Sequence, residues 1–366
     1  MLIKREIFYD TGNIRLTVIK EIYSKHTFSY VNLQITKHDE LEVAINYLID
    51  YLEKNKLEIL MAFCFGSSKM TDWLKPDKLV PLTVLYHNYV SPTSFQLICT
   101  DSKDVVLRKS IGDSCIKSID HFGTEFYYVN NLASSNDNNN YSQTYFIFQY
   151  LKSILKEYDI SFNELSRTWL YAHDILEWYD ELNHARTDFF GEEDIFAGII
   201  PASTGIGLSN ISGKSLLLNA FLLKSGEYNS IIRMLDSPMQ CPATDYKSSF
   251  SRAIEISHKT SKRLLISGTA SLDREGQTLH CDNVKMQINH TMKVVSSIMR
   301  KEEYGWKNMV RAIAYFKDPG HAKHFIEYCQ SNHIDSSYVL ITGGTICRDD
   351  LLFEIEVDAV KLFKKI

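Results

Sequence analysis

The sequence has 366 residues, of which 45% are hydrophobic and 23% charged, and its formal net charge is −5. Without a basic excess, nucleic-acid binding has no electrostatic support, so we expect no such partner. No apolar run approaches the ~20 residues that a membrane-spanning helix needs, so we expect no membrane contact either.

The cysteines and the N-terminal segment indicate the compartment. Seven cysteines are scattered along the chain without a CxxC pair, which is typical of reduced thiols rather than of a disulfide framework. The segment MLIKREIFYDTGNIRL lacks the apolar stretch of a signal peptide. We therefore expect a cytoplasmic protein.

The first clear pattern along the chain is a strand, an amphipathic helix and a second strand over residues 28–67. Two longer patterns follow, and residues 143–174 align without a gap on residues 287–318. Identical residues in this register include Gln143 with Gln287, Arg167 with Arg311, Tyr171 with Tyr315 and Asp174 with Asp318. Such a register indicates an internal repeat, with residues 28–67 as a truncated third copy.

Both copies predict the same elements. An amphipathic helix over 143–155 or 287–299 is preceded by a strand and followed by a strand, a second helix and two closing strands. The remaining predicted elements are opening strands at Phe126–Val129 and Leu264–Ser267, second helices at about 175–190 and 319–332, and closing strands at about 197–203, 215–223, 338–347 and 351–360. The unit is β-α-β-α-β-β, so the predicted class is α+β, with helices on one face of a mixed sheet.

This repeat sets the predicted domain organisation. An N-terminal domain over residues 1–230 contains a degenerate copy at about 124–225, and a C-terminal, catalytic domain covers residues 231–366. Residues 226–261 are predicted to connect the two copies.

Several segments carry a resemblance to known families. Similarity to RidA/YjgF proteins covers about 262–361 and rests on RLLISGTASLDREGQTLHCDN, the helix with Gln287, the RAIAYFKD strand and the terminal LLFEIEVDAV. Similarity to a narrower family, the chorismatases, covers roughly 140–361 and rests on RTWLYAHDILEWYDELNHART, IPASTGIG and ICRDDLLFEIE. The resemblance implies tandem RidA/YjgF-like units, also called chorismate-mutase-like, in an enzyme that cleaves chorismate.

The resemblance further implies chemistry on an enol ether. Protonating the methylene carbon of the enolpyruvyl group gives an oxocarbenium ion that loses pyruvate, so the acid must hold its proton near neutral pH. The expected co-product is 3-hydroxybenzoate or a dihydroxy-cyclohexadiene carboxylate. No metal or organic cofactor is implied, and the expected assembly is a monomer or a homotrimer. Two alternatives stay open: a RidA-like enamine/imine deaminase, and a non-catalytic paralogue that binds small metabolites.

Two acids near the C-terminus are the candidate catalytic groups. Glu354 and Glu356 are two residues apart on a predicted strand, so their side chains share a face. Aligning SLLLNAF with DLLFEIE pairs Glu354 with Asn219 and Glu356 with Phe221, and acids confined to one copy indicate function. In the chorismatase pattern the acid follows a cysteine by seven residues, which implies Glu354 as the general acid. Glu356 occupies the position typical of RidA deaminases.

Cys347 and Ile341 bear on the product and on the reaction class. A cysteine such as Cys347 is often a small buried hydrophobe, but in chorismatases this position is associated with release of 3-hydroxybenzoate, and alanine there with the dihydroaromatic product. RidA-type deaminases carry a substrate-binding arginine six residues earlier, where this sequence has Ile341. The missing arginine disfavours the deaminase alternative.

The two carboxylates of chorismate call for arginines or for several hydrogen-bond donors. Arg252 and Arg186 are the predicted carboxylate anchors. Thr204 and Gly205 are predicted either to offer a hydroxyl and a backbone donor to the ligand or to form a turn between strands.

Three further arginines are predicted to lie elsewhere. Arg348 adjoins Cys347, so strand alternation should turn it to the opposite face. Arg167 and Arg311 recur in both copies, which predicts a shared structural role.

Overall fold

The computed structural model describes residues 1–67, 79, 81–87, 93–134, 139–225 and 230–363. In these residues the chain forms three β-sheets, each with its own helices. The first unit comprises β1 (Leu2–Asp10), β2 (Ile14–Ile22), β3 (Thr27–Ile35), α1 (Leu41–Lys54), β4 (Glu58–Ser67), β5 (Thr83–His87) and β6 (Thr93–Thr100).

The second and third units follow in chain order. The second comprises β7 (Val105–Ile111), β8 (Ser114–His121), β9 (Thr124–Leu132), α2 (Asn140–Glu157), β10 (Leu165–Ala172), α3 (Ile175–Glu192), β11 (Ala202–Gly207), β12 (Ser209–Asn210) and β13 (Leu216–Ser225). The third comprises β14 (Ile231–Leu235), β15 (Ala253–Ser257), β16 (Ser261–Ala270), α4 (Val284–Lys301), β17 (Met309–Phe316), α5 (Ala322–Ser331), β18 (Leu340–Gly343) and β19 (Phe353–Leu362).

All three sheets share one strand order. With the main strands of each unit numbered along the chain, the order is 1-2-3-6-4-5, and β12 adds to the edge of the first sheet beside β5. Strands 4 and 5 of each sheet are parallel, whereas strand 6 runs antiparallel to both of its neighbours. The predicted α+β class with mixed sheets is confirmed, and the truncated copy at 28–67 belongs to a sheet with six strands of its own.

The predicted amphipathic helices are present and begin at polar caps. The segment 143–155 lies within α2, where the Asn139 side chain accepts a hydrogen bond from Ser142 N at 2.9 Å. Asn283 caps α4 in the same way, by accepting from Met286 N at 3.1 Å. Such caps satisfy donors that a helix start leaves free. No helix in the described ranges is long and apolar enough to cross a membrane.

Two predictions for the third unit need correction. The connector predicted over 226–261 contributes β14 and β15 to the sheet, although residues 226–229 lie outside the described residues. The strand predicted over 338–347 is shorter, because β18 covers only Leu340–Gly343. Thr345 forms an isolated bridge with Gly207, and residues 347–350 form a bend and a turn. The side-chain alternation expected of a strand therefore does not extend to Cys347.

The sheets pack around a common centre formed by their inner faces. Aromatic rings from different sheets meet there: Phe63 of β4 lies 5.7 Å from Trp169 of β10, and Phe65 lies 6.1 Å from Tyr315 of β17, measured between ring centroids. Separate clusters pack α1 on the first sheet and both α2 and α3 on the second. One chain thus builds a three-sheet core, stabilised by large buried aromatic surfaces.

The hairpins between the second and third strands of each sheet also meet. They contribute His26, His121 and His258, with His26 Nε2 2.9 Å from His121 Nδ1. Thr260 Oγ1 lies 3.3 Å from His121 Nε2 and 3.1 Å from His258 Nδ1. Burial lowers the pKa of all three imidazoles, that of His258 to about 4. The three units therefore also pack together through neutral histidines at their hairpins.

Candidate active site

A cavity lies between the second and third units. Its walls come from α3, β10 and β11 of the second unit and from β16, β19 and residues 236–252 and 347–351 of the third. The space between these walls is narrow and partly open to solvent. Its polar lining includes Arg186, Ser203, Arg252, Cys347, Arg348 and Glu354. Its apolar and aromatic lining includes Leu170, Leu182, Tyr246, Phe250, Leu272 and Leu351.

Glu354 is the buried acid of this cavity. The residue is 4% exposed, and we find no hydrogen-bonding partner for its carboxyl within the described residues. Burial, and next the negative charge of Glu356, raises the pKa of Glu354 to about 8 despite the opposing charge of Arg167. At neutral pH this carboxyl therefore holds a proton and faces the cavity.

Gly268 makes room for that acid. A Cβ built on Gly268 would lie 2.0 Å from Glu354 Oε1 and 3.2 Å from Thr204 Cγ2. No larger residue fits without moving the acid. The presence of glycine at position 268 is therefore explained by the space that the Glu354 side chain needs.

Glu356 is fully buried in a network of donors instead. Its carboxylate accepts hydrogen bonds from Arg167 Nη2 at 2.7 Å, from Arg311 Nη2 at 2.5 Å and from Trp169 Nε1 at 3.0 Å. The hydroxyl of Thr204 also donates to it. Although burial alone raises the pKa of Glu356, these two arginines lower it below its ordinary value. Glu356 is ionised, does not line the cavity, and accounts for the shared structural role predicted for the two recurring arginines.

Strand pairing corrects the alignment expected for Glu354. A β-bulge interrupts the pairing of strands 4 and 6 at the same place in every sheet. Counted from that bulge, Glu354 matches Leu217 of the second sheet and Ser94 of the first, not Asn219. The predicted register was wrong by two residues, but the acid is still confined to one unit.

The same count gives the residues of the other two units that are equivalent to Glu356. They are Asn219 in the second unit and Gln96 in the first, not Phe221. Asn219 Nδ2 donates to Thr83 Oγ1 at 2.8 Å, and Gln96 Nε2 donates to Asn32 Oδ1 at 3.0 Å. The position of Glu356 is therefore polar and hydrogen-bonded in all three units.

Arg186 and Arg252 line the cavity as predicted. Arg186 donates from Nη2 to Asn183 Oδ1 at 2.8 Å, and Arg252 donates from Nε to Cys241 O at 2.8 Å. In the described part of the chain neither forms an ion pair, and Arg186 Nε and Arg252 Nη2 are buried without a partner. Burial lowers the pKa of Arg186. Two buried guanidinium groups without a counter-ion favour an anionic ligand.

Arg348 lies on the same side as Cys347, not on the opposite face as predicted. It lines the cavity together with Cys347, because residues 344–352 are not a strand and alternation does not separate them. Its Nη1 donates to Gly276 O at 2.6 Å. With Glu354 protonated, the charged lining of the cavity consists of three arginines.

Thr204 and Gly205 differ in their access to the cavity. The Thr204 hydroxyl donates to Glu356 and accepts from Arg167 Nη2 at 2.9 Å and from Gly268 N at 3.1 Å. It is therefore engaged in the buried network and does not line the cavity, contrary to its prediction as a ligand donor. Gly205 does line the cavity, on β11.

Cys347 is half-buried in the lining, whereas Ile341 is not part of it. Burial, and next the charge of Glu354, raises the pKa of the Cys347 thiol to about 12, so the thiol is protonated at neutral pH. Ile341 lies on β18 and pairs with Ala314. Ile341, where the resemblance to RidA-type deaminases predicts an arginine, therefore lies outside the lining of the cavity.

Three aromatic residues of the lining escaped the sequence interpretation. Tyr179 lies on α3 and lines the cavity. Tyr246 and Phe250 lie in the predicted connector, between β14 and β15, outside any strand or α-helix. The nearest available signal was the predicted anchor Arg252, two residues after Phe250.

Comparisons with known proteins identify solved structures with a similar fold. No family model and no curated protein matches the sequence. Among solved structures, a chorismatase matches with a TM-score of 0.62 and 17% identity, over 82% of this chain and 92% of that chain. The similarity to the chorismatase fold that the sequence predicted is confirmed.

Smaller proteins match one unit each. A putative endoribonuclease L-PSP from Entamoeba histolytica matches with a TM-score of 0.31 and 16% identity, over 36% of this chain and 100% of that chain. A YjgF-family protein from Mycobacterium tuberculosis matches with a TM-score of 0.29 and 18% identity, over 35% of this chain and 98% of that chain.

Proposed function

We propose that this protein is a chorismatase-like enzyme that cleaves the enolpyruvyl ether of chorismate to pyruvate and an aromatic or dihydroaromatic acid. The observation that carries the proposal is a protonated carboxyl, Glu354, which faces a cavity whose charged lining is otherwise three arginines. A dicarboxylate neutralises most of that charge, and an enol ether needs an acid with a raised pKa. The similarity in fold to a chorismatase supports the same assignment.

In the proposed reaction Glu354 gives its proton to the methylene carbon of the enolpyruvyl group. The C–H bond forms, and the ether oxygen shares the positive charge of the resulting oxocarbenium ion. Arg186, Arg252 and Arg348 hold the carboxylates, so the positive charge that develops is offset by fixed negative charge on the substrate itself. The apolar walls keep the site poor in water and keep Glu354 protonated between turnovers.

The oxocarbenium ion can then react in two ways. If water adds to the oxocarbenium carbon, the hemiketal collapses to pyruvate and a dihydroxy-cyclohexadiene carboxylate, and the water proton restores Glu354. If the neighbouring ring hydroxyl adds to the oxocarbenium carbon instead, it gives its proton back to Glu354 and a cyclic ketal forms. Loss of the ring proton at the ether-bearing carbon and cleavage of the other ring C–O bond then aromatise the ring. The resulting hemiketal takes up the released proton and collapses to 3-hydroxybenzoate and pyruvate, whose carbonyl oxygen comes from the ring hydroxyl, so no water is consumed. We propose the second outcome, because the Cys347 side chain occupies space beside Glu354 that water would otherwise fill.

The alternative deaminase function has less support. Its substrates carry one carboxylate, which leaves two arginines of the cavity without a counter-charge, and its arginine position holds Ile341. Glu356, the acid at the deaminase position, is ion-paired on both oxygens with Arg167 and Arg311. All the lining residues given above come from one chain, which favours the monomer of the two predicted assemblies.

Purified protein is expected to release pyruvate from chorismate without added metal or cofactor. Lactate dehydrogenase and NADH report the pyruvate, and chromatography identifies the co-product. The same assay in the presence of EDTA is the control. A folded protein that yields no pyruvate, or whose reaction stops with the chelator, would contradict the proposal.

Cys347→Ala is expected to shift the product ratio towards the dihydroxy-cyclohexadiene carboxylate, while pyruvate release continues. Removing the thiol leaves room for a water beside the oxocarbenium ion. Cys281→Ala, at an exposed cysteine outside the cavity, is the matched control. An unchanged ratio, measured by chromatography of both products, would reduce Cys347 to a packing role.

A further inference from the structure

Residues 236–252, here called the roof segment, join β14 to β15 and cover the cavity. The corresponding connections in the other units are much shorter: residues 11–13 between β1 and β2, and residues 112–113 between β7 and β8. The roof segment supplies Tyr246, Phe250 and Arg252 to the lining. A long insertion in one of three repeats, placed over the cavity that holds Glu354, indicates a role in that cavity.

The roof segment is fastened on two sides. Gln240 Nε2 donates to Ala270 O at 2.9 Å and to Leu272 O at 3.1 Å, just after β16. On the other side the hydroxyls of Ser249 and Thr187 of α3 lie 2.7 Å apart. The roof thus has a defined position relative to both walls of the cavity.

The rings of the roof cover all three arginines of the cavity. The Tyr246 ring centroid lies 5.3 Å from Arg252 Cζ and 5.4 Å from Arg348 Cζ. The Phe250 ring centroid lies 5.7 Å from Arg252 Cζ and 5.9 Å from Arg186 Cζ. An aromatic face attracts a guanidinium group electrostatically. The face of a ring offers no hydrogen-bond acceptor. Although the Tyr246 hydroxyl interacts with Arg252, Arg252 Nη2 and Arg186 Nε are buried without a partner in the described residues and stay available to a ligand.

We propose that Tyr246 and Phe250 are positioning residues that hold the three guanidinium groups in the arrangement that binds both carboxylates of a ring-based dicarboxylate. This inference rests on the proposed function for the identity of the substrate, but it concerns binding of the dicarboxylate class. Carboxylate anchors must be held in place before the substrate arrives, since arginine side chains are otherwise flexible. In the described residues the three arginines have no carboxylate partner. Each donates one of its N–H groups to Asn183, Cys241 or Gly276, and the roof rings cover the guanidinium groups themselves.

The test compares ring-removing with ring-keeping variants: Tyr246→Leu and Phe250→Leu against Tyr246→Phe and Phe250→Tyr. Phe146→Leu, at an exposed phenylalanine of α2, is the matched control. Two quantities are measured: KM and kcat with chorismate, and the dissociation constant of isophthalate, an aromatic dicarboxylate probe, by titration calorimetry. We expect each leucine variant to raise both KM and the dissociation constant about tenfold or more, with a smaller change in kcat. Ring-keeping variants and the control should stay near wild type.

The calorimetric arm separates this inference from the proposed function. If wild-type protein releases no pyruvate, the proposed function fails, yet isophthalate binding still decides the role of the rings. Folded leucine variants that bind isophthalate as tightly as wild type would overturn the inference, and so would wild-type protein that does not bind the probe. A leucine variant that loses its thermal unfolding transition is replaced by methionine, which is flexible and apolar, and the same criteria apply.

Discussion

Glu354→Gln is expected to lower kcat for pyruvate release by about 10²–10⁴-fold, the usual contribution of a general acid. Glutamine matches the neutral carboxyl in size and charge but has no acidic proton to give. Binding should therefore persist, so the dissociation constant of 3-hydroxybenzoate should stay close to that of wild type. Glu303→Gln, at a side chain that is 91% exposed, is the matched control and should be fully active.

The pH profile tests the same residue without a mutation. Glu354 is active in its protonated form, and its pKa is raised to about 8. Activity should therefore be constant below that value and fall as the pH rises through about 8, by tenfold for each further pH unit. A profile that instead rises from pH 6 to 9 would require a base and would remove Glu354 from the role of acid.

At alkaline pH, Glu354→Gln should be more stable than wild type although it is less active. The pKa of Glu354 lies above its ordinary value of 4.5 in the folded state, so this carboxyl favours folding fully below pH 4.5 and loses that contribution as the pH rises through about 8. Glutamine has no such loss. Glu354→Gln should therefore unfold at a higher temperature than wild type near pH 9 and at a similar temperature near pH 5, measured by calorimetry.

How far the sequence predicts the site is shown by Glu354 itself. Its choice rested on a family pattern and on an acid confined to one copy, and the structure places it in the cavity with Arg186 and Arg252. The pairing with Asn219 was off by two residues, because the segments between the fourth and sixth strands differ in length between the two copies and the sequence does not show where the gap falls. Periodicity within a strand is readable, but the register between strands is set by tertiary packing.

The first unit and the roof segment were harder to predict, for physical reasons. The first sheet shares its strand order with the others but lacks their Arg and Tyr signature, because Met61 and Phe65 occupy those strand positions. Strand order leaves no sequence motif of its own when any apolar residue can fill the core. The roof segment has no regular hydrogen-bonding pattern beyond a short 3-10 helix at Ala243–Tyr246, so neither helical nor strand periodicity marks it.

Glu356→Gln is expected to lower the free energy of unfolding by about 3–5 kcal/mol, the usual cost of removing one partner from a buried ion pair. Arg167 and Arg311 would keep only Asp358 as a counter-charge, at 3.6 Å and 3.4 Å. Thermal and denaturant unfolding measure the loss. The amide itself is compatible with this strand position, since Gln96 occupies it in the first unit.

A charge-balanced double variant separates charge from shape. In Glu356→Gln with Arg167→Met, Arg311 and Asp358 remain as a neutral pair, and methionine is the residue that the first unit carries at this place, as Met61. The double variant should therefore regain much of the lost stability. If the double variant is no more stable than Glu356→Gln, the carboxylate is needed for its hydrogen bonds to Trp169 and Thr204 rather than for its charge.

The single variant Glu356→Gln also tests which of the two glutamates donates the proton. Glu356 adds a negative charge that raises the pKa of Glu354, so removing the charge should move the alkaline fall in activity to lower pH while leaving kcat near pH 6 largely intact. Glu354→Gln, in contrast, should lose activity at every pH. If the folded Glu356→Gln variant is inactive at pH 6 and Glu354→Gln is nearly normal, the proton comes from Glu356. The reaction then belongs with the RidA-like alternative rather than with chorismate cleavage by Glu354.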